Sequence, residues 1–421
     1  MVLKKKRVVR IPDPSNMTAH RFIKNRDIIL FSLQPWNSQI AFNLKDLAYE
    51  LARYNRILFI DRANDRKTIL KSKFSAKQFD PEMPKSLETV GNDFWVLHPK
   101  SLMESGNWSP NYKLFDFFNR INNRRLALEI KSVIQKLAFN DILFINDNDF
   151  FRGLYLKTLL PISVYIFYLR DFLTAQPYFI KFGPRCEKEI IAKADLVVAN
   201  STWLAEYAGR WNQRTAYIGQ GCNLSSFNRN LLPEPSDLKS VPKPVIGYFG
   251  AITGMRLDEA LLLHIAASMP EMSLVLVGPV DEQFEKSRLR LMNNVFFLGA
   301  KNPEQSADYI RHFTICINPQ LVNQLTIGNY PRKIDEYLAA GKPVIATATE
   351  AMDMFRHQVM LCNTMTEYIT AIRKAIEDPF FTSAEAMRRR VEFASTHSWE
   401  NVAGVLGEAC FRMIKNNKPD S

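Results

Sequence analysis

In the first half of the chain, short apolar runs typical of buried β-strands alternate with stretches of helical periodicity. In the stretch AFNLKDLAYELARY, Leu44, Leu47, Ala48 and Leu51 stand at i, i+3, i+4 and i+7, which indicates a helix packed on one face. The apolar runs are RDIILFSL, RILFIDR, DILFIND, VYIFYLRD and ADLVVANS. Strands that alternate with helices predict a parallel sheet with helices on both faces.

The same alternation restarts after a proline-containing segment, Asn228–Gly250, which we interpret as a linker. A final stretch from residue 382 to residue 414 has helical composition throughout. The predicted strands of the second half are VIGYFGAI, SLVLVGP, NVFFLG, FTICINP, KPVIAT and QVMLCN.

These patterns predict an α/β fold with two doubly wound, Rossmann-like domains that face a central cleft, followed by a C-terminal helical tail. A chain of 421 residues is long for a single core, which agrees with two domains. We place the domains at residues 1–235 and 236–395, and we expect a helix at 396–421 to pack back on the first domain. In such sheets, ligands bind at the carboxyl ends of the strands.

Lys and Arg number 55 against 43 acidic residues, which gives a formal net charge of +12 and favours an anionic partner. The chain has five scattered cysteines without a CxxC pair, so we expect neither structural zinc nor disulfides, and a reducing cytosol. The start, MVLKKKRVVRIPDPSN, lacks the apolar segment of a signal peptide, and no run is long enough to span a bilayer. We therefore expect a cytoplasmic protein that could contact the inner face of the plasma membrane peripherally.

The segment YPRKIDEYLAAGKPVIAT, residues 330–347, predicts a short helix followed by a buried strand. Pro331 suits the first helical turn, and Gly341 suits the left-handed position after the last turn. Arg332 and Lys333 fall in that first turn, where the helix dipole disfavours cations. A bound diphosphate would offset them, whereas the simpler interpretation is an i, i+4 surface ion pair between Arg332 and Glu336.

The second half resembles the nucleotide-sugar domain of family 4-type glycosyltransferases of the GT-B fold, and the first half resembles their acceptor domain more loosely. The resemblance implies transfer of a sugar from a nucleotide diphosphate sugar to a hydroxyl acceptor, with retention at the anomeric carbon and without a metal or other cofactor. It also implies a glycan or lipid-linked acceptor in bacterial surface polysaccharide or glycolipid assembly. The segments that carry it are GYFGAITGMRLDEALLLHIA, LVLVGP, NVFFLGAKNPEQSADYIRHFTICINP, YPRKIDEYLAAGKPVIAT and HSWENVAGVL, with QPWNSQIAFNLKDLAYELA, ADLVVANSTWLAEY and YIGQGCNLSSF in the first half.

By this resemblance, Glu336 would accept hydrogen bonds from the ribose hydroxyls of the donor, a task that suits a carboxylate. Arg256 stands where the family usually carries a lysine against the donor phosphates. The family often has a further glutamate where this chain has Gly328, so we expect Thr326 and Asn329 to take over part of its role. The full set of predicted donor-binding residues is Gly250, Arg256, Thr326, Asn329, Arg332, Lys333 and Glu336.

In the first half, Asp171 follows a predicted strand and could contact an acceptor hydroxyl as a catalytic group, or simply cap a helix or pair with Arg170. A rival hypothesis takes Asp147-Asn148-Asp149 as the Asp-x-Asp metal and diphosphate site of single-sheet transferases. We favour metal-independent chemistry, because that class has one sheet domain, and the six histidines show no ligand spacing.

Two further functions remain open. A nucleotide-sugar 2-epimerase shares the two-domain architecture, although the sequence shows no convincing His/Glu set for its acid–base chemistry. A catalytically inactive sugar- or glycan-binding module is the second alternative, and Gly328 is the feature that favours it.

The basic clusters Lys4–Arg10 and Arg388–Arg390 lack the interleaved aromatics of nucleic-acid-binding motifs, so we expect no nucleic-acid partner. We expect the first cluster to contact anionic membranes or to remain a solvated tail.

Overall fold

The computed structural model describes residues 22–38, 42–63, 86–224, 226–227 and 233–416. The chain divides into two compact units, one formed by Met1–Gly219 with Glu400–Ser421 and the other by Gln220–Trp399. The domain bounds predicted from the sequence, at residues 235/236 and 395/396, stay predictions.

The first unit is built on an eight-stranded sheet in the order β3-β4-β2-β1-β5-β6-β7-β8. All described neighbours pair in parallel except the edge hairpin of β3 and β4. The strands are β1 (Asp27–Ser32), β2 (Arg56–Ile60), β3 (Leu87–Gly91), β4 (Phe94–Leu97), β5 (Ile142–Asp147), β6 (Ile162–Leu169), β7 (Leu196–Ala199) and β8 (Thr215–Tyr217).

Helices connect these strands and cover the sheet. The apolar side chains of β1 lie at its centre, where Ile28 pairs in register with Ile57 of β2 and Leu143 of β5. The described helices of this part are α1 (Asn43–Ala52), α2 (Tyr112–Lys136), α3 (Leu156–Leu159), α4 (Gly183–Lys193) and α5 (Thr202–Ala208).

The second unit contains a six-stranded parallel sheet in the order β11-β10-β9-β12-β13-β14. Its strands are β9 (Val245–Phe249), β10 (Ser273–Val277), β11 (Val295–Gly299), β12 (Ile315–Asn318), β13 (Val344–Thr347) and β14 (Met360–Cys362). Its helices are α6 (Ser236–Lys239), α7 (Glu259–Ser268), α8 (Glu282–Glu285), α9 (Ser306–Ile310), α10 (Lys333–Ala339), α11 (Met365–Glu377) and α12 (Ala384–Ser395). The last helix, α13 (Trp399–Asn416), belongs to the first unit from Glu400 onward.

The second sheet is buried on both faces. Along β10, Val275 and Val277 belong to one apolar cluster, whereas Leu274 and Leu276 belong to another. Successive side chains of a strand point to opposite faces, so helices must cover both sides. The fold is therefore α/β with two doubly wound parallel sheets and a helical C-terminal segment, as predicted.

Two local predictions were wrong. The C-terminal segment is not helical throughout, because α12 ends at Ser395 and α13 begins at Trp399, with His397 between them. The polar edge strand β3 was also missed, because its sequence LETVG is largely exposed and lacks the apolar pattern of a buried strand. Among the described helices, none has the length and apolar composition needed to cross a bilayer.

Candidate functional site

The loops after β9 and β10 approach each other closely at the carboxyl end of the second sheet. Gly250 and Gly278 both have positive φ angles, +148° and +150°. A Cβ atom on Gly278 would lie 1.9 Å from the carbonyl oxygen of Gly250, so only glycine permits this approach. The backbone at Gly250 is further held by a hydrogen bond from its N–H to the carbonyl of Val277.

The loop that carries Arg256 is fixed to the segment after β12. The carbonyl of Arg256 accepts a hydrogen bond from the N–H of Leu321 at 2.8 Å, and Leu257 forms an isolated bridge with Gln320. The side chain of Asn323 donates to the carbonyl of Met255 at 3.0 Å. These contacts bring the predicted Arg256 loop and the predicted segment around Thr326 together at one end of the sheet.

Helix α10 begins later than predicted and ends as predicted. It starts at Lys333, with Arg332 in the capping position and Pro331 before the helix. Gly341 has a φ of +72°, and the N–H groups of Gly341 and Lys342 donate to the carbonyls of Leu338 and Tyr337. This pair of bonds is a Schellman motif, which requires the left-handed residue that glycine supplies.

Lys333 extends toward the glycine loop after β9. Its Nζ donates to the Tyr248 hydroxyl at 2.7 Å and lies 4.4 Å from the centroid of that ring. A Cβ atom on Gly250 would lie 3.1 Å from Cε of Lys333, so the ammonium and the loop share one small region. The structure thus brings Lys333 and Gly250 together, as the prediction of a shared donor site requires.

Arg332 and Glu336 form the i, i+4 ion pair of the simpler interpretation. The distance from Arg332 Nε to Glu336 Oε1 is 3.5 Å, and both side chains are mostly buried. The excess of cations at the helix start is therefore offset in part within the protein, because Arg332 faces the Glu336 carboxylate. Lys333 contacts the hydroxyl and ring of Tyr248 instead. The pair does not exclude a ligand, since Glu336 still has 18% of its side chain exposed.

Thr326 is fully buried, and its hydroxyl donates to the carbonyl of Leu321. The N–H of Asn323 in turn donates to that hydroxyl at 3.0 Å, so Thr326 stabilises its own loop. Asn329 is half-buried, and its N–H donates to the carbonyl of Thr326 at 3.0 Å. Gly328 lies between them and is buried. Direct contacts of Thr326 and Asn329 with a donor stay predictions.

A buried polar network that the sequence did not reveal holds α10 from behind. Asp335 is fully buried and accepts a hydrogen bond from the Tyr330 hydroxyl at 2.7 Å. Its other oxygen lies 2.7 Å from Nδ1 of His397, in the break between α12 and α13. The carbonyl of His397 accepts from the N–H of Cys222 at 2.8 Å. No role was predicted for His397 from the sequence, where its one signal is its place within HSWENV, because its partner Asp335 lies far away in the chain.

In the first unit, charged side chains gather at the carboxyl ends of β5 and β6. The Nε of Arg170 lies 2.5 Å from Asp147 Oδ1, and its NH1 lies 3.1 Å from Asp171 Oδ2. Burial raises the pKa of Asp147, and the adjacent Arg170 guanidinium acts in the opposite direction. The ion pair that was one interpretation of Asp171 is present, and the catalytic role of Asp171 stays a prediction.

The Asp147-Asn148-Asp149 segment has partners of its own. Asp147 pairs with Arg170, while Asp149 pairs with Arg152 at 2.5 Å and accepts the N–H groups of Phe151 and Arg152. Within the described ranges, no group of three His, Cys, Asp or Glu side chains is placed to hold a metal ion. The geometry therefore offers no support for the rival metal hypothesis.

A second polar cluster lies at the carboxyl ends of β2 and β4 and includes a residue of β3. His98 follows β4, and its Nδ1 lies 2.8 Å from Asp61, which follows β2. Its Nε2 lies 3.0 Å from Glu88 of β3. The hydrogen bond to Asp61 raises the pKa of His98, burial opposes it, and the bond to Glu88 raises it further. Sequence analysis did not find this cluster, although a histidine directly after the apolar run FWVL was a usable signal.

The predicted membrane contact of Lys4–Arg10 lies outside the described residues. The second basic cluster is described: Arg388 and Arg389 form exposed ion pairs with Glu392 and Glu385 of the same helix. Arg390 is buried instead and donates to the carbonyls of Ala386 and Phe381. These contacts are typical of a structural helix rather than an anion-binding surface.

The second unit and part of the chain are similar to known glycosyltransferases. Residues 243–378, most of the second unit, match the family described as glycosyl transferases group 1. A Bacillus subtilis protein, the putative teichuronic acid biosynthesis glycosyltransferase TuaH, is 27% identical over 225 residues, which are 51% of this chain and 56% of that protein. The match thus spans little more than half the length of this curated relative.

Solved structures agree with the α/β fold described above. Sucrose-phosphate synthase from Thermosynechococcus elongatus superposes with a TM-score of 0.66 at 18% identity, covering 94% of this chain and 100% of that one. Anabaena HepE in complex with UDP gives a TM-score of 0.63 at 19% identity over 92% of this chain and 100% of that one. The predicted GT-B fold is confirmed, and residues 243–378 match a glycosyltransferase family, as predicted. The family 4 subtype stays a prediction.

Proposed function

We propose that the protein transfers a sugar from a nucleoside diphosphate sugar to a hydroxyl acceptor, with retention at the anomeric carbon and without a metal, as a family 4-type enzyme. The observation that carries the proposal is the meeting of Lys333 with Gly250 at the carboxyl end of β9, with Glu336 one turn further along α10. A flexible cation, a backbone that permits close approach and a carboxylate are the groups that a diphosphate and a ribose need.

In this proposal the Lys333 ammonium binds the diphosphate and stabilises the negative charge that develops on it as the sugar leaves. Arg256, in the loop after β9, supplies a second cation with a planar donor geometry. Glu336 accepts the ribose hydroxyls, and Arg332 holds Glu336 in place through their ion pair. These cations of the protein then neutralise the charge of the diphosphate, as a divalent metal does in other transferases.

The relatives support a sugar nucleotide as the donor. HepE of Anabaena was solved with UDP, with UDP and glucose, and with UDP-glucose. We therefore propose a uridine diphosphate sugar as the first donor to test. Because TuaH is described as a teichuronic acid biosynthesis glycosyltransferase, we propose bacterial surface polysaccharide assembly as the setting and a glycan or lipid-linked glycan as the acceptor. A cytoplasmic location belongs to the same proposal.

The test is a donor-consumption assay with chromatographic separation and mass detection of products, preceded by thermal-shift screening of UDP-, GDP- and ADP-sugars. A transferase releases the nucleoside diphosphate and, without acceptor, slowly hydrolyses the donor. Conversion of the donor to an isomer of equal mass would instead identify an epimerase. Binding of the donor without any turnover, with or without candidate acceptors, would identify an inactive binding module.

A further inference from the structure

The long helix α2 has one face that is exposed although it is partly apolar. Its opposite face packs into the core of the first unit through Phe115, Leu126 and Ile130. On the outer face, Phe117 is 57% exposed and Leu128 is 70% exposed. These two side chains lie about three turns apart, and exposed apolar surface usually marks a contact with another molecule where neighbouring side chains extend it.

The charged side chains on this face are all cations. Lys113, Arg120, Arg124 and Lys131 follow the spacing of Phe117 and Leu128 along the helix, with intervals of three or four residues, so all six share one face. We call these six residues the outer stripe. Within the part of the chain that the structure describes, no carboxylate forms an ion pair with its four cations.

Two neighbouring loops extend the outer stripe with exposed aromatic and aliphatic side chains. Trp108 precedes α2 and is 64% exposed, whereas Tyr178 and Ile180 lie in the loop before α4 and are 58% and 63% exposed. The loops are joined directly, because Asn107 Nδ2 donates to the carbonyl of Tyr178 at 2.8 Å and Lys181 Nζ donates to the carbonyl of Ser109 at 2.6 Å.

We propose that the outer stripe, with Trp108, Tyr178 and Ile180, binds the surface of an anionic phospholipid membrane. Basic side chains interleaved with apolar ones on one helix face are typical of helices that lie in the lipid interface. Trp and Tyr favour the headgroup level, where the ring is apolar and its polar edge stays hydrated. Each cation near such a surface raises partitioning by about fivefold.

Other occupants fit less well. In a two-fold symmetric dimer the outer stripe would face itself, which would place its four cations against the same four cations of the second copy. A nucleic acid would satisfy the cations but would leave Phe117, Leu128 and Ile180 without an apolar environment. A lipid surface satisfies both kinds of side chain.

Membrane binding through this surface would also serve the proposed transfer reaction, although the membrane proposal does not depend on that reaction. The loop from Arg170 to Phe182 carries Asp171 at its start and Tyr178 and Ile180 near its end. Membrane contact would therefore hold the predicted acceptor edge of the first sheet near lipid-linked substrates.

The test measures co-flotation of the full chain with vesicles of phosphatidylcholine alone and of phosphatidylcholine with about one third phosphatidylglycerol. We expect binding to the anionic vesicles that weakens as salt increases. Arg120→Glu/Arg124→Glu should lower partitioning by at least about twenty-fivefold, the effect of two lost cations. Phe117→Ser/Leu128→Ser should lower it at low and at high salt.

Matched controls lie in the second unit. Arg388→Glu/Arg389→Glu makes the same change in net charge on α12, and Leu291→Ser/Phe380→Ser removes side chains that are 83% and 57% exposed. Both controls should keep most of the binding, and circular dichroism verifies that every variant is folded.

Several outcomes would overturn the proposal. One is equal loss in the controls, which would mean that only net charge matters. Another is full loss on deletion of residues 4–10 with no effect of the outer-stripe variants. A third is a nucleic-acid oligomer that binds more tightly than vesicles and loses binding in the same variants. Because the assay needs neither donor nor acceptor, its failure would leave the proposed transfer reaction untouched.

Discussion

Replacing Lys333 with methionine should remove the cation at the proposed diphosphate site while keeping most of the side-chain length. A hydrogen bond to a charged group contributes about 1.5–3 kcal/mol, so the nucleoside diphosphate should bind roughly 10–150-fold more weakly. The free nucleoside carries no phosphate and should bind almost unchanged. Isothermal titration calorimetry with both ligands measures the two effects separately.

The same change also affects the unliganded protein. It removes the hydrogen bond from Nζ to the Tyr248 hydroxyl and the contact with that ring at 4.4 Å. Together these contribute about 1–2 kcal/mol, a fraction of the 5–15 kcal/mol that stabilises a typical domain. The variant should therefore fold, with a modestly lower melting temperature.

Lys374→Met is the control, because Lys374 also lies over an aromatic ring, that of Phe381, but on α11. It should leave affinity for the diphosphate unchanged. If Lys333→Met weakens nucleoside and nucleoside diphosphate equally, the lysine has a structural role and the proposed diphosphate site is wrong.

Three further predictions concern the buried network, the metal and pH. His397→Ala removes one partner of the fully buried Asp335 and should destabilise the protein by about 1–3 kcal/mol in urea unfolding, whereas an unchanged midpoint would contradict the network. Transfer activity should survive EDTA, and complete loss that Mn²⁺ restores would revive the Asp147–Asp149 hypothesis. The pKa of His98 is raised in the folded state, so its stabilising contribution is present below its unfolded value of about 6.5 and is lost as pH rises through the folded value. Urea midpoints should therefore fall more between pH 6 and pH 8.5 in the wild type than in His98→Gln, and parallel curves would refute this.

The sequence predicted those parts of the fold whose cause is local. The buried parallel strands appear as apolar runs, and Gly341 followed by Pro343 marks the end of α10, because the backbone conformation there depends on one or two residues. The start of α10 was misplaced because Pro331 is equally compatible with a first turn and with the segment before a helix. The polar strand β3 depends on pairing with β4, which its own composition does not show.

The residues of the candidate site likewise divide into those with a local sequence signal and those without one. Lys333, Glu336 and Gly250 were predicted as donor-binding residues from the helix-dipole argument and the resemblance in ordered motifs, and the structure brings Lys333 and Gly250 together. Their contacts with a donor stay predictions. The pairs Asp335–His397 and Asp61–His98 join residues that are distant in the chain, so only the fold reveals them. A single sequence has no local signal for which distant carboxylate a histidine will meet.

The central claim is that Glu336 binds the ribose of a nucleoside diphosphate sugar, and a thermodynamic cycle tests it most directly. Affinities of the wild type and Glu336→Ala are measured for the nucleoside diphosphate and for its 2′,3′-dideoxy analogue. The wild type should prefer the ribose form by roughly 10–150-fold, because its carboxylate accepts the ribose hydroxyls. Any effect of freeing Arg332 from its partner acts on both ligands and cancels in the ratio. The variant should lose this preference, and the same preference in both proteins would contradict the ribose role of Glu336.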